Sequence, residues 1–249
     1  KKLLLILLCL PMIGFGQNVY IPDANFKAYL VGNSAINTNG DSEIQVSEAA
    51  SFNGEINCYN MNISDLTGVE SFTDLTNLTC SNNQLTSIDL SYNTALTFLN
   101  CGNNQLTSID VSGATALSFL RVSENQLTIL DVSTNTALTF LYCLYNQLIN
   151  LDLRNGNNIN INYISLSENP NLFCINVDDD SYSSVNWTNI DPQSYFSNNC
   201  SGTTDIEEHT TNKELLKVTD LLGRETNQIN QPLFYIYDDG TVEKKIIIE

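Results

Sequence analysis

The chain has 249 residues, 28 acidic against 10 basic side chains, a formal net charge of −18 and a single histidine. So acidic a body repels phosphate backbones, which excludes nucleic acid as a partner. His209 lies in a polar stretch, so no Ser-His-Asp or Cys-His arrangement can be built around it; no glycine-rich phosphate loop is present either, and the chain is expected not to be an enzyme.

Residues 1–16 read KKLLLILLCLPMIGFG. Two lysines, a short apolar run and small residues near its end predict a secretory signal peptide, removed before Gln17. The run is too short for a comfortable membrane span. Leu8 precedes Cys9 where a lipid-anchored protein would need a small residue, so Cys9 is expected to leave with the peptide.

Residues 17–51 are predicted to form an N-terminal cap. Pro22 and Asp23 open a helix over residues 21–31, with Phe26 and Leu30 on one face. The stretch 37–48 places Asn37, Asn39, Asp41, Glu43 and Glu48 at positions 1, 3, 5, 7 and 12 of the calcium-loop template. Asn37 stands where that template has Asp, and Ser42 where it has the turn glycine. The stretch resembles a degraded EF-hand loop, and Ca2+ here is the one cofactor the residues suggest; a plain polar turn is the other reading.

Residues 52–176 repeat. Leu75, Leu96, Leu117 and Leu138 open four copies spaced by 21 residues. Leu78, Leu99, Leu120 and Leu141 follow, then Cys80, Cys101, Val122 and Cys143, and then Asn83, Asn104, Asn125 and Asn146. A first, irregular coil around Ile56 and Cys58 precedes them by 22 residues, and a last one around Ile164 and Asn169 follows with a shift of 23. A fixed short period with apolar residues in register predicts a solenoid, because one coil cannot bury its own apolar face. The Asn column is expected to point inward and bond the backbone of adjacent coils. Alternation around Ile88 and Leu90 predicts a second short extended segment in each coil.

The spacing L-x-x-L-x-C-x-x-N-x-L closely resembles the leucine-rich repeat family. The resemblance implies an α/β-type repeat solenoid of 21-residue coils, with a parallel β-sheet on a concave face that binds ligands. Residues 177–202, with Trp187, are read as a C-terminal cap and residues 203–212 as a linker. Residues 213–249 hold strand-like runs and an Asp239-Gly240 hairpin signal. Leu-Gly-Arg at 222–224 and Lys-Lys with an apolar end at 244–248 make this end similar to the C-terminal sorting domain of type IX secretion substrates (type A) of Bacteroidetes. That resemblance implies a secreted or outer-membrane-surface protein, delivered by the type IX machinery after signal peptide removal. A small terminal β-hairpin of no special use is the alternative.

Cys58, Cys80, Cys101 and Cys143 occupy inward ladder positions and read as core thiols. Cys174 and Cys200 flank the cap, and an oxidising destination favours a disulfide between them. Asp89, Asp110, Asp131 and Asp152 form a uniform column, expected to bond nearby turn groups; a carbohydrate-active enzyme built on that column is the alternative from another class. On the strands, Phe98, Phe119, Phe140 and Tyr163 share one outward position, flanked by Arg121, Tyr142 and Tyr145. Stacked aromatics facing water mark an interaction site, or they merely stabilise the sheet. The leucine-rich repeat resemblance implies an adhesin-like module that binds a surface protein or glycan, and a monomer is expected. A purely structural surface or matrix protein is the third reading.

Overall fold

A computed structural model describes residues 17–200, 215–219, 226, 232–237 and 242–246. The predicted signal peptide, the linker 203–212, the Leu-Gly-Arg motif and the Asp239-Gly240 turn lie outside the described residues. Two compact units divide the chain, residues 1–200 and 201–249.

The first unit opens with helix α1 (Ala24–Gly32), whose N-cap Asp23 accepts hydrogen bonds from the backbone N–H of Asn25 and Phe26. The other oxygen of Asp23 accepts from the backbone and hydroxyl of Ser64. One carboxylate thus starts the helix and ties it to the first coil. Phe26 and Leu30 are fully buried, as their spacing predicts, and the Tyr29 hydroxyl accepts from the backbone N–H of Asn57. Helix α2 (Val46–Ser51) completes the cap.

The solenoid strands are β1 (Glu55–Asn57), β2 (Asn77–Thr79), β3 (Phe98–Asn100), β4 (Phe119–Arg121), β5 (Ile129–Asp131), β6 (Phe140–Tyr142), β7 (Asn150–Asp152), β8 (Tyr163–Ser165), β9 (Cys174–Asn176) and β10 (Tyr195–Ser197). A six-stranded sheet runs β1-β2-β3-β4-β6-β8 and a four-stranded sheet β10-β9-β7-β5. Every pairing in both is parallel. The register follows the sequence spacing: Ile56 lies opposite Leu78 across the irregular first step, Leu78 opposite Leu99, and Leu141 opposite Ile164 across the last. In the first two regular coils the return leg makes only a bridge, Asp89 to Asp110, so the second sheet begins at β5. The return legs are extended, and the described coils carry no α-helix there.

Leucines and isoleucines from both legs meet in one continuous core with Cys58, Cys80, Cys101 and Cys143. The Asn column closes each coil. Asn125 Nδ2 donates to Cys101 O at 3.1 Å and Val122 O at 3.0 Å, while its Oδ1 accepts from Leu106 N at 2.9 Å. Asn83, Asn104, Asn146 and Asn169 repeat the pattern. Each side chain thus replaces a piece of backbone pairing where the chain turns away from the sheet.

At the far end, helix α3 (Asp180–Asn186), capped by Asp179, leads to buried Trp187, whose ring packs edge-on against Phe196. Strand β10 stacks on β9, so the coil register continues beyond residue 176 into the capping segment. A disulfide joins Cys174 to Cys200. The second unit contains three antiparallel strands, β11 (Leu215–Thr219), β12 (Pro232–Tyr237) and β13 (Val242–Ile246), in the order β11-β12-β13.

Candidate functional site

Alternation along the six short strands turns two columns of side chains outward. The first runs Glu55, Asn77, Phe98, Phe119, Phe140, Tyr163; the second runs Asn57, Thr79, Asn100, Arg121, Tyr142 and ends at Ser165, which is buried and accepts from Asn189 Nδ2. Between them sit the buried residues Ile56, Leu78, Leu99, Leu120, Leu141 and Ile164.

The aromatic residues do come together, but not as one freely exposed column. Phe98 and Phe119 stack at 4.4 Å and 10°. Phe119 then touches two rings, Phe140 at 6.1 Å and Tyr142 at 5.5 Å, and Tyr142 stacks on Tyr163 at 5.0 Å. The contact path therefore crosses from the first column to the second, with Phe119 at the branch. Contact among the rings leaves Phe98, Phe119, Phe140 and Tyr142 half-buried, while Tyr163 is 42% exposed. The patch is a ladder and a surface at once. The sequence predicted a straight strip because strand spacing alone places the rings; the tilt of Phe119 and Tyr142 bends it. Tyr145 stands apart, 53% exposed, on the turn after β6. Arg121 is exposed and lies 3.7 Å from Glu124.

Arg121 and Glu124 border something the sequence reading passed over. Toward β1 the same face sinks into a depression of about 530 Å³ lined by Asn57, Tyr59, Thr79, Ser81, Asn82, Asn100, Gly102 and Asn103. Its signal was present in the repeat: where later coils carry aromatic or charged residues, the early coils carry Asn, Thr, Ser and Gly.

The calcium-loop residues are close in space, and their oxygens accept hydrogen bonds within the cap. Glu48 Oε1 accepts from Thr38 N, Thr38 Oγ1 and Asn39 N, and Oε2 from Gln45 N. Burial works against its charge, yet these donors hold its carboxyl below the usual range. Asn37 donates to Val31 O and Asp41 O, Asp41 accepts from Glu43 N, Asn39 donates to Asp41 and Gln45, and Glu43 pairs with Lys27 at 2.7 Å. Among the described residues, no group of three or more carboxylate, thiol or imidazole side chains is arranged to hold a metal ion.

The Asp column is likewise committed. Asp89, Asp110, Asp131 and Asp152 each accept from the backbone N–H two residues on, at 2.8–3.0 Å. The Ser91 amide holds the Asp89 carboxyl low, and the Arg154 side chain does the same for Asp152. Four carboxylates in one uniform turn-capping role offer no acid–base pair of contrasting environment, so the column does not support the glycosidase alternative. The four inward thiols are free and buried, and burial pushes Cys58 up to about 12.

Comparison with known proteins agrees with this geometry. Residues 73–113 match the family described as Leucine Rich repeats (2 copies). Internalin J of Listeria monocytogenes is 37% identical over 77 residues, which are 31% of this chain and 8% of that protein. The structure of the functional domain of InlJ from Listeria monocytogenes, described as including a cysteine ladder, aligns with TM-score 0.51 and 34% identity over 65% of this chain and 38% of that one. An internalin, InlF, from the same organism aligns with TM-score 0.50 and 23% identity, covering 71% of this chain and 56% of that one, a likeness of fold alone. The chain thus spans only a small part of its curated relative. Twenty-one-residue coils, parallel sheets and an inward Asn column give the chain the leucine-rich repeat fold, and residues 73–113 match that family's repeats directly.

Proposed function

We propose that this chain is an exported, non-enzymatic interaction module. It takes a partner protein at a cell surface, in an adhesin-like role, through the aromatic end of the six-stranded sheet. The observation that carries this reading is the connected ring cluster Phe98, Phe119, Phe140, Tyr142 and Tyr163 on a regular sheet face. Rigid aromatic area costs little side-chain entropy on binding, and the Tyr hydroxyls add direction. Mutual stacking presets the rings, so little reorganisation opposes association. The InlJ and InlF likenesses support the architecture, and the ring cluster argues for the partner. Among the described residues no helix is long and apolar enough to cross a membrane. Export rests on the signal-like start and the sorting-like end of the sequence.

The test is affinity capture of labelled cell-surface proteins on the full chain, followed by titration of the captured partner. Phe119→Ala and Tyr142→Ala should each weaken binding by roughly 1–3 kcal/mol. Unchanged affinity in both, with both variants folded, would return the rings to a purely structural role.

A further inference from the structure

The polar depression beside the aromatic patch is a different surface with its own chemistry. Asn57, Thr79 and Asn100 lie in register on three successive strands. The side-chain oxygen of Asn100 accepts from Gly102 N at 3.3 Å, and that of Asn57 from Tyr59 N at 3.4 Å. Both amides are thereby oriented, and each leaves its NH2 group, like the Thr79 hydroxyl between them, without a protein partner among the described residues. Asn103 donates to the Asn82 side chain along the rim. Gly102 keeps the depression open: a Cβ there would stand 3.2 Å from Arg121 Nε and 3.3 Å from Ser123 O. At about 530 Å³ it falls within the usual range of small-molecule sites, about 300–1,000 Å³.

We propose that this depression binds a neutral, linear oligosaccharide. Charge argues first. The chain carries −18 overall, yet the lining is neutral, with Arg121 and Glu124 adjacent and cancelling. A charged ligand would leave its charge unanswered there, whereas a neutral polyol would not. Chemistry argues second. Fixed carboxamides and hydroxyls donate and accept side by side, which matches vicinal hydroxyl groups, and the walls offer no apolar hole for a peptide side chain. Spacing argues third. The Asn57–Thr79–Asn100 row repeats at the strand separation of about 4.8 Å, and successive rings of a linear sugar chain advance by a similar step, one ring per strand. Tyr59, 52% exposed at the rim, offers a face on which a sugar ring can stack.

The full chain is screened against immobilised cellohexaose, mannohexaose, xylohexaose and chitohexaose, with a heparin hexasaccharide as the charged control, and the best binder is titrated by calorimetry. At least one neutral hexasaccharide should bind. Asn57→Ala and Asn100→Ala should each weaken it by roughly tenfold, and Gly102→Val, which fills the depression, should abolish it. Phe140→Ala lies outside the depression and should leave sugar affinity unchanged while weakening a protein partner, so this site and the aromatic site fail separately. Melting curves establish that each variant is folded. Absence of binding by all four neutral sugars, preference for heparin, or full affinity in folded Asn57→Ala and Asn100→Ala would overturn the proposal.

Discussion

The residues just before the ladder asparagines, Asn82, Asn103, Glu124, Tyr145 and Glu168, sit in the left-handed region with φ of 57°, 55°, 59°, 55° and 61°. Asn adopts this conformation readily because its short side chain bonds locally; Glu and Tyr do so at a cost of about 1 kcal/mol. The early coils therefore carry the relaxed residue and the later ones carry strain. Replacing Tyr145 or Glu124 by Asn should stabilise the protein by about 1 kcal/mol in chemical denaturation; Glu124→Asn also loses its exposed contact with Arg121, which is worth little. No gain in either would mean that neighbouring contacts already absorb the strain. The ladder asparagines behave oppositely. Asn125→Ala strands Leu106 N and removes the side-chain donor to two carbonyls in a buried turn, for a loss of about 3 kcal/mol. The inward Asn column was legible because polar residues at a core period must bond something. The left-handed column beside it was not, since a change from Asn to Tyr in sequence looks like surface variation until φ is known.

Among the elements, the caps hold the clearest chemistry. Asp23 and Glu48 each gather four backbone or hydroxyl donors, and although burial opposes their charge, those bonds hold both carboxyls below the usual range. A depressed folded pKa contributes stability that is complete above the unfolded value and is lost as pH falls through the folded one. The N-terminal cap should thus loosen below the ordinary carboxylate range while the coil core holds. Hydrogen exchange at pH 7 and pH 3 checks this: the α1 amides should lose protection before those of β3 and β4, and Glu48→Gln should shrink the difference. The calcium template matched this loop by spacing, yet the same spacing suits turn caps, as in Asn37 Oδ1 to Gly40 N and Asn39 Oδ1 to Asp41 N. Sequence position cannot tell an oxygen aimed at an ion from one aimed at an amide. The opposite cap is closed by the Cys174–Cys200 disulfide, with a sequence separation of 26. The double change to Ser should cost about 3 kcal/mol on the chain-entropy account, read as a lower melting temperature with the buried thiols still unreactive.

At the scale of the whole chain, the period of 21 carried the architecture, because stacking is the only way such short coils bury their leucines. The division of the sheet face into a polar end and an aromatic end needed coordinates: the columns were visible, but whether rings splay or stack depends on tilts that no spacing encodes. The second unit poses a separate question. Its three antiparallel strands form a unit distinct from residues 1–200, while its Lys-Lys and apolar end is what resembles a sorting signal. A stabilising role and a delivery role make opposite demands on one truncation, at Asn212. If residues 213–249 supported the solenoid, removing them would lower its melting temperature. If they serve delivery across an outer membrane, the truncated protein should melt within about 2 °C of the full chain, since removing a separate unit takes nothing from the solenoid's own core. It should nevertheless accumulate in the periplasm of a host with the type IX machinery instead of reaching the surface. Fractionation and a melt on the same preparation decide between them. Equal surface display of the truncated and full-length chains would remove the delivery reading, and a large fall in melting temperature would assign the strands to stability.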